Sequence, residues 1–412
     1  MQAEIIAVGS ELLTPQRLDT NSLYLTEKLN ALGVEVVTKC VVGDDRDRLA
    51  EVVRRAVGRS AVVIVTGGLG PTEDDVTRDA VAQALDRRQQ FHPEIVDEIE
   101  QRFRQLGRKM AEINRRQAHV IEGAEVLSND RGTAPGQWVE ESGHYVMLLP
   151  GPPHELKGVF ERHCVPRLAR VVPKQVIRTL VLRVAGMPES DLDQLISPVY
   201  KQYSNPVTTV LAAPGDIQVH FRATCPTEGE ATALLAEVAG PVEALLGDRV
   251  YSRNNEPLEA VVGERLRTQR ATLAVAESCT GGMLAERITS VPGSSDYFLG
   301  GFVTYTNRTK TEQLGVSPEL LEAHGAVSAE TAEAMAQGAR RRTGATYALA
   351  ITGVAGPGGG GEPAPVGMVY AGVADPNGAR VVHRQFLGDR GRVRQWAVQM
   401  ALDLLRRRMA GL

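Results

Sequence analysis

The nine residues AVAESCTGG, 274–282, place a carboxylate, a hydroxyl, a thiol and two glycines directly behind a short apolar run. Ala274, Val275 and Ala276 read as a buried strand, and Gly281 and Gly282 let the chain turn tightly into the helix MLAERITSV. A hydroxyl at such a corner stands near first-turn N–H groups that lack intrahelical partners, a setting suited to an oxyanion or a bound anion. Ser278 is then either the N-cap of that helix or a nucleophile, and the local string leaves both open. A serine amide hydrolase also needs a base, and no histidine lies nearby in sequence. The candidate is Lys310 in FVTYTNRTK, whose amine can serve only if burial or neighbouring positive charge lowers its pKa. The plainer readings are a solvated helix-end cation for Lys310 and an interfacial aromatic for Tyr305. Cys279 is the second candidate nucleophile.

Two further strings bear on the same chemistry. ITGVAGPGGGGEPAPVG is a glycine and proline loop after a strand-like segment, where parallel sheets bind ligands, although such a run also suits a plain surface connection. Arg390 and Arg394 in GDRGRVRQ open a helix and have the forked donors of phosphate clamps.

Near the other end, VGSELLTPQRLDTNS and TGGLGPTEDDVTRDA interrupt apolar strands with polar residues. Gly67, Gly68 and Gly70 allow backbone amides to approach a phosphate, and Thr72 or Asp75 can cap the helix that follows. Glu11, Asp19, Asp44, Asp45, Glu73, Asp74 and Asp75 all fall after strand-like segments. Acids gathered there repel unless paired or bound to a cation, so a divalent metal that also contacts phosphate is one reading, with Asp75 and Asp44 preferred and Glu11 third. Solvated loop acids with one N-cap are the other.

These groups need rigid elements behind them. With 412 residues, 43% hydrophobic, the chain is too long for one ordinary domain. From 1 to about 170 it alternates EIIAVGS, NSLYLTEKLNALG, VEVVTKCVV, RDRLAEVVRRAVG and AVVIVTGG, the βα rhythm of a parallel sheet covered on both faces. GQWVEESGHYVMLLPG reads as a hairpin at that sheet's margin. After VVPK come a strand, a helix, the hairpin VTTVLAAPGDIQVHFRAT and another helix, an α+β module of about 80 residues. A third unit opens with PLEAVVGERLRTQR and closes with VRQWAVQMALDLLRRRM. Net charge is −4 with basic residues dispersed, which argues against a duplex-DNA binder. No apolar run approaches a membrane span, and Met1 leads straight into a strand, so a cytoplasmic protein is expected. The four cysteines are widely spaced and indicate neither a disulfide framework nor a thiolate zinc site.

Glu277-Ser-Cys-Thr-Gly-Gly282, Gly301-Phe-Val-Thr-Tyr-Thr-Asn307 with Lys310, His324-Gly-Ala-Val-Ser328 and Gly353-Val-Ala-Gly-Pro357 closely resemble the C-terminal domain of the CinA family, the PncC-type nicotinamide mononucleotide deamidases. The resemblance implies a Ser278 nucleophile, a Lys310 base, Tyr305 as helper, and substrate contacts from Glu277, Thr280, Gly281, Gly282, Gly353, Gly356, Arg390 and Arg394, with no cofactor. Gly9-Ser-Glu-Leu-Leu13, Asp19-Thr-Asn21, Thr66-Gly-Gly-Leu-Gly-Pro71 with Asp74-Asp-Val-Thr77, and Leu149-Pro-Gly-Pro-Pro153 with Glu155 resemble the molybdopterin-binding domain shared with MogA and MoeA, in the version that opens CinA proteins. There the implied activity is metal-dependent hydrolysis of ADP-ribose to AMP and ribose 5-phosphate, with Gly67, Gly68, Gly70, Thr72 and Asn21 on substrate and Asp75, Asp44 and Glu11 on the metal. The middle module resembles the family's KH-like insert. The expected architecture is therefore α/β: a doubly wound MogA-like parallel sheet over 1–171, a KH-like α+β module over 172–253 and a PncC-type α/β domain over 254–412, in a homodimer. A rival reading from another class is a scaffold that holds a pterin-like ligand in competence or DNA repair. A second rival keeps the amidase and makes the first domain a degenerate dimerisation unit.

Overall fold

The computed structural model describes residues 1–362 and 364–412, so Pro363 of the glycine and proline loop lies outside the described residues. The chain divides into two compact units, Met1–Arg178 with Ala223–Thr232, and Thr179–Arg222 with Ala233–Leu412.

In the first unit, four parallel strands run side by side in the order Glu35–Val42, Gln2–Val8, Val62–Thr66, His144–Leu149. Gly136–Glu141 and then Glu125–Leu127 extend the sheet antiparallel. The 136–149 hairpin was expected at the sheet's margin. Its second strand instead lies inside the sheet, because VMLL is apolar on both faces and pairs in register with Val62–Thr66. Val62–Thr66 is buried at every residue. Its two faces feed separate apolar clusters, one around Val63, Val65, Leu49 and Val53, the other around Ile64, Leu25, Leu29 and Phe160. The strand order reverses between Gln2–Val8 and Val62–Thr66, the kind of crevice where doubly wound sheets bind ligands.

The middle sheet has the order Val207–Ala213, Asp216–Cys225, Val176–Val184, Val250–Ser252. Strict alternation of buried and half-buried residues along DIQVHFRATC marks a sheet with one face on a core. The third sheet has the order Phe298–Val303, Leu273–Glu277, Tyr347–Gly353, Met368–Asp375, Gly378–Gln385. Its first three strands are parallel and its last two antiparallel. Leu273–Glu277 is buried throughout, with Ala274 and Ala276 on one cluster and Leu273 and Val275 on the other. Because three parallel strands end together, the segments after Glu277, Val303 and Gly353 meet at one edge of this sheet. The helix Arg390–Met409 covers one face, burying Val393, Ala397, Ala401 and Leu405. Among the described residues no helix is long and apolar enough to cross a membrane, and all four cysteines are unpaired.

Candidate functional site

The sequence left open whether Ser278 caps the following helix. It does not. Met283–Thr289 begins at Gly282, which has φ +98° and no side-chain cap. The capping work falls to Glu277, whose carboxylate is 1% exposed and accepts from the backbone N–H groups of Gly282 and Leu284, both at 3.0 Å, and of Ala285 at 2.9 Å. Glu277 was expected to touch substrate. With both oxygens spent inside the fold, it is a helix clasp.

Ser278 is thereby left to other chemistry. Lys310, in the helix Asn307–Leu314, donates from Nζ to Ser278 Oγ at 3.1 Å and to the Thr304 carbonyl at 2.9 Å. Lys310 is 1% exposed, so it is not a solvated helix-end cation. Burial pushes its amine below the ordinary value near 10.5, toward the neutral form a general base requires. No carboxylate pairs with it among the described residues, so no counter-charge offsets the burial of its charged form. Cys279 is buried, and burial pushes its thiol up to about 11, away from the thiolate that a cysteine nucleophile requires at neutral pH.

The turn after Ser278 supplies donors. Ser278 N–H is spent on the Ile351 carbonyl at 2.9 Å, and Gly281 N–H on the Ser278 carbonyl at 3.1 Å. Gly281 and Gly282 therefore shape the turn, with φ +57° and +98°, rather than offer their amides to a substrate as expected. The Cys279 and Thr280 N–H groups find no backbone acceptor among the described residues, and they are the pair of donors suited to an oxyanion. The Thr280 side chain, expected on substrate, is fully buried with its hydroxyl unpartnered.

Arg394 donates from one guanidinium nitrogen to the Thr280 carbonyl at 2.5 Å and so braces the Ser278 loop, while its buried Nε has no partner among the described residues. Arg390 is exposed and donates to the Gly356 carbonyl at 3.0 Å and to the Tyr305 hydroxyl at 2.8 Å. Tyr305 is 57% exposed and makes no hydrogen bond with Ser278 or Lys310 among the described residues. Tyr305, expected as a helper, stands beside Arg390 and outside hydrogen-bond reach of the Ser278–Lys310 pair. Gly353 serves packing, since a Cβ there would lie 2.7 Å from the Met368 carbonyl. Gly356 has φ +79° and offers its carbonyl to Arg390. Sequence reasoning missed Thr304. Its carbonyl orients the lysine and its N–H ties to the Glu277 carbonyl at 2.7 Å, although it sits inside the quoted FVTYT string.

In the first unit, a cavity of about 460 Å³ opens at the C-terminal ends of the parallel strands. It gathers Glu11, Asn21, Asp44, Gly67, Gly68 and Asp75, together with Arg17, Asp19, Asp74 and the Gly151–Pro153 turn. Gly70 and Thr72, expected on phosphate, do not line it. They hold Asp75 instead: its carboxylate accepts from Gly70 N–H at 2.7 Å, Thr72 N–H at 2.8 Å and Thr72 Oγ1 at 2.6 Å. Nor does Asp75 cap the next helix, which begins after Val76 without a side-chain cap. Gly67 and Gly68 have φ +98° and +62°, and a Cβ on Gly67 would lie 2.3 Å from the Val8 carbonyl. Asn21 donates to the Gly151 carbonyl at 2.8 Å and keeps a buried Oδ1 without a partner.

As a prebuilt cage for a divalent cation, Asp75, Asp44 and Glu11 do not fit. Asp75 is oriented by its own turn, one oxygen of Asp44 accepts from Ser10 N–H at 2.8 Å, and among the described residues no group of three or more His, Cys, Asp or Glu is placed to hold a metal.

With both sites laid out, comparison with known proteins places the chain. Residues 255–409 match the family described as CinA C-terminal domain, residues 4–170 the one described as "Probable molybdopterin binding domain", and residues 179–252 the damage-inducible protein CinA KH domain. A CinA-like protein of Solibacter usitatus is 70% identical over 100% of this chain and 99% of its own. The chain belongs to the CinA family. A CinA-like protein of Koribacter versatilis is 49% identical over 99% of this chain and 100% of its own. A solved competence-damaged protein (CinA) superfamily protein from Escherichia coli is 37% identical over 36% of this chain and 87% of its own, with a TM-score of 0.35. The CinA architecture accounts for the three larger sheets: MogA-like, KH-like and C-terminal α/β.

Proposed function

We propose that the C-terminal part of this CinA protein hydrolyses the carboxamide of nicotinamide mononucleotide, with Ser278 as nucleophile and Lys310 as base. The observation that carries the reading is the buried amine of Lys310 at 3.1 Å from Ser278 Oγ. In the neutral form, Lys310 takes the hydroxyl proton as Oγ adds to the amide carbon. The Cys279 and Thr280 amides hold the resulting oxyanion, worth roughly 3–4 kcal/mol per donor in comparable sites. Collapse breaks the C–N bond, and Lys310 returns its proton to the departing nitrogen, which leaves as ammonia. Water, deprotonated by the same amine, then cleaves the acyl-serine and restores the hydroxyl. Arg390, exposed beside Tyr305, is the group for the substrate's phosphate.

The first unit, in the same reading, splits the pyrophosphate of ADP-ribose in the cavity between Gly9, Gly67 and Gly151. That cavity is lined by five carboxylates and one arginine, so a dianionic pyrophosphate enters it only with compensating cations. A divalent cation belongs to this proposal as a companion of the pyrophosphate, not as an ion caged by three side chains.

The decisive test is ammonia release from nicotinamide mononucleotide by the purified chain and by Ser278→Ala. The substitution is expected to abolish release while leaving the fold intact, and Cys279→Ala is expected to change little. Turnover retained by Ser278→Ala would remove Ser278 as nucleophile.

A further inference from the structure

Within the second unit, apart from the Ser278 site, a cavity of about 420 Å³ lies against the helix Arg390–Met409, bounded by the backbone at Gly186 and Gly215. Its size falls in the roughly 300–1,000 Å³ range of small-molecule sites. One wall is aromatic: Phe386 and Trp396 stack with ring centroids 5.5 Å apart and planes at 23°, and Trp396 is only partly buried. Arg249, Arg380 and Arg384 also line it, and among the described residues none of them pairs with an Asp or Glu side chain. The acid that faces the cavity, Asp403, is already neutralised by Arg406 and Arg407. Local charge is therefore positive beside an aromatic floor.

A second observation points to a ligand independently. Gln399, which lines the cavity, is 3% exposed, and its Nε2 has no hydrogen-bond acceptor. A buried amide without a partner costs stability, and a group that supplied an acceptor here would recover that cost on binding. The turn above leaves no room to swing the side chain aside, since a Cβ on Gly215 would lie 2.7 Å from Gln399 Cγ.

We propose that this cavity binds a planar heteroaromatic anion of the purine mononucleotide class. The ring lies on the Trp396–Phe386 stack, a ring acceptor takes the Gln399 N–H, and the phosphate meets Arg249 and Arg384, which no Asp or Glu side chain pairs among the described residues. The assignment does not depend on the reading of Ser278.

The chain has two tryptophans, so Trp138→Phe leaves Trp396 as the sole indole reporter. The full-length Trp138→Phe protein is titrated with adenosine 5′-monophosphate, adenosine and inorganic phosphate while Trp396 emission is followed. The monophosphate is expected to quench Trp396 saturably, adenosine to bind at least about tenfold more weakly, and phosphate alone to leave emission unchanged. Added Gln399→Leu is expected to weaken the monophosphate by about tenfold or more while raising the melting temperature of the unliganded chain and leaving basal ammonia release unchanged. Arg249→Gln with Arg384→Gln is expected to reduce the monophosphate to the adenosine level. Absence of a saturable change at millimolar nucleotide overturns the proposal, as does a change that survives both sets of substitutions. An equal response to phosphate alone overturns the aromatic part of it.

Discussion

The amine of Lys310 and the hydroxyl of Ser278 lie 3.1 Å apart although 32 residues separate them, because Leu273–Glu277 and Phe298–Val303 are adjacent parallel strands that deliver both residues to one edge. The amine is buried without a counter-charge, so its proton is held weakly, as a base requires.

Replacing Lys310 by Met should lower turnover by about a hundred- to ten-thousand-fold with a much smaller change in KM. In the unmodified chain, the rate of the chemical step should rise with pH through the lysine's lowered pKa. Stability carries the same signature with a definite sign. Between the lowered value and the ordinary value near 10.5, the unfolded chain binds the proton and the folded chain does not, so this residue adds stability as pH rises through that window and withdraws it as pH falls. Lys310→Met should therefore gain thermal stability relative to the parent as the pH is lowered from 10 toward 7, in melting curves recorded across that range.

Glu277→Gln tests the clasp. One acceptor oxygen is exchanged for an NH2 group that faces buried N–H donors, which should cost about 1–3 kcal/mol. A lowered melting temperature with residual ammonia release is the expected pattern. Unchanged stability combined with a raised KM would make Glu277 a substrate contact after all.

Arg390→Gln separates phosphate recognition from chemistry. It should raise KM for nicotinamide mononucleotide by about tenfold and leave the rate on nicotinamide riboside, which has no phosphate, nearly unchanged. Equal losses on both substrates would show that Arg390 acts through Gly356 and Tyr305 on the loop instead.

Asp75→Asn should reduce ADP-ribose cleavage by loosening the Gly70–Thr72 turn, with ammonia release untouched. A chelator should stop ADP-ribose cleavage in the parent chain and spare ammonia release. Cation affinity measured without nucleotide should be weak in parent and variant alike, since the side chains form no cage; tight binding by the parent alone would contradict this.

Ser278 and Lys310 were legible in the sequence because a polar string after an apolar strand and a lysine one turn into a helix are local patterns, and the alternating elements placed both at strand ends. What hydrogen-bonds to a carboxylate is not local information. Glu277 and Asp75 read as site acids by type and position, yet each is saturated by backbone donors that only the folded turn presents. The carbonyl that Arg394 braces is equally out of reach of local reading, since it lies 114 residues away. The hairpin over 136–149 was recognisable as a hairpin, but its place within the sheet depends on pairing with Val62–Thr66, far upstream. The Trp396 cavity left no motif at all, because its arginines and aromatics come from separate segments.

The bond from Arg394 to Thr280 also sets a clock for the newly made chain. A ribosome adding roughly 5–20 residues per second reaches Arg394 roughly ten seconds after Thr280 has been made. In the later part of that interval, once Lys310 and the strand Tyr347–Gly353 have been made, the serine, the lysine and their parallel strands exist, but the turn after Ser278 has no brace. On the proposed reading, hydrolytic competence would arrive as a late event of biosynthesis, gated by the docking of one helix, and a nascent chain stalled before that helix would carry Ser278 and Lys310 without the bond that fixes the turn between them.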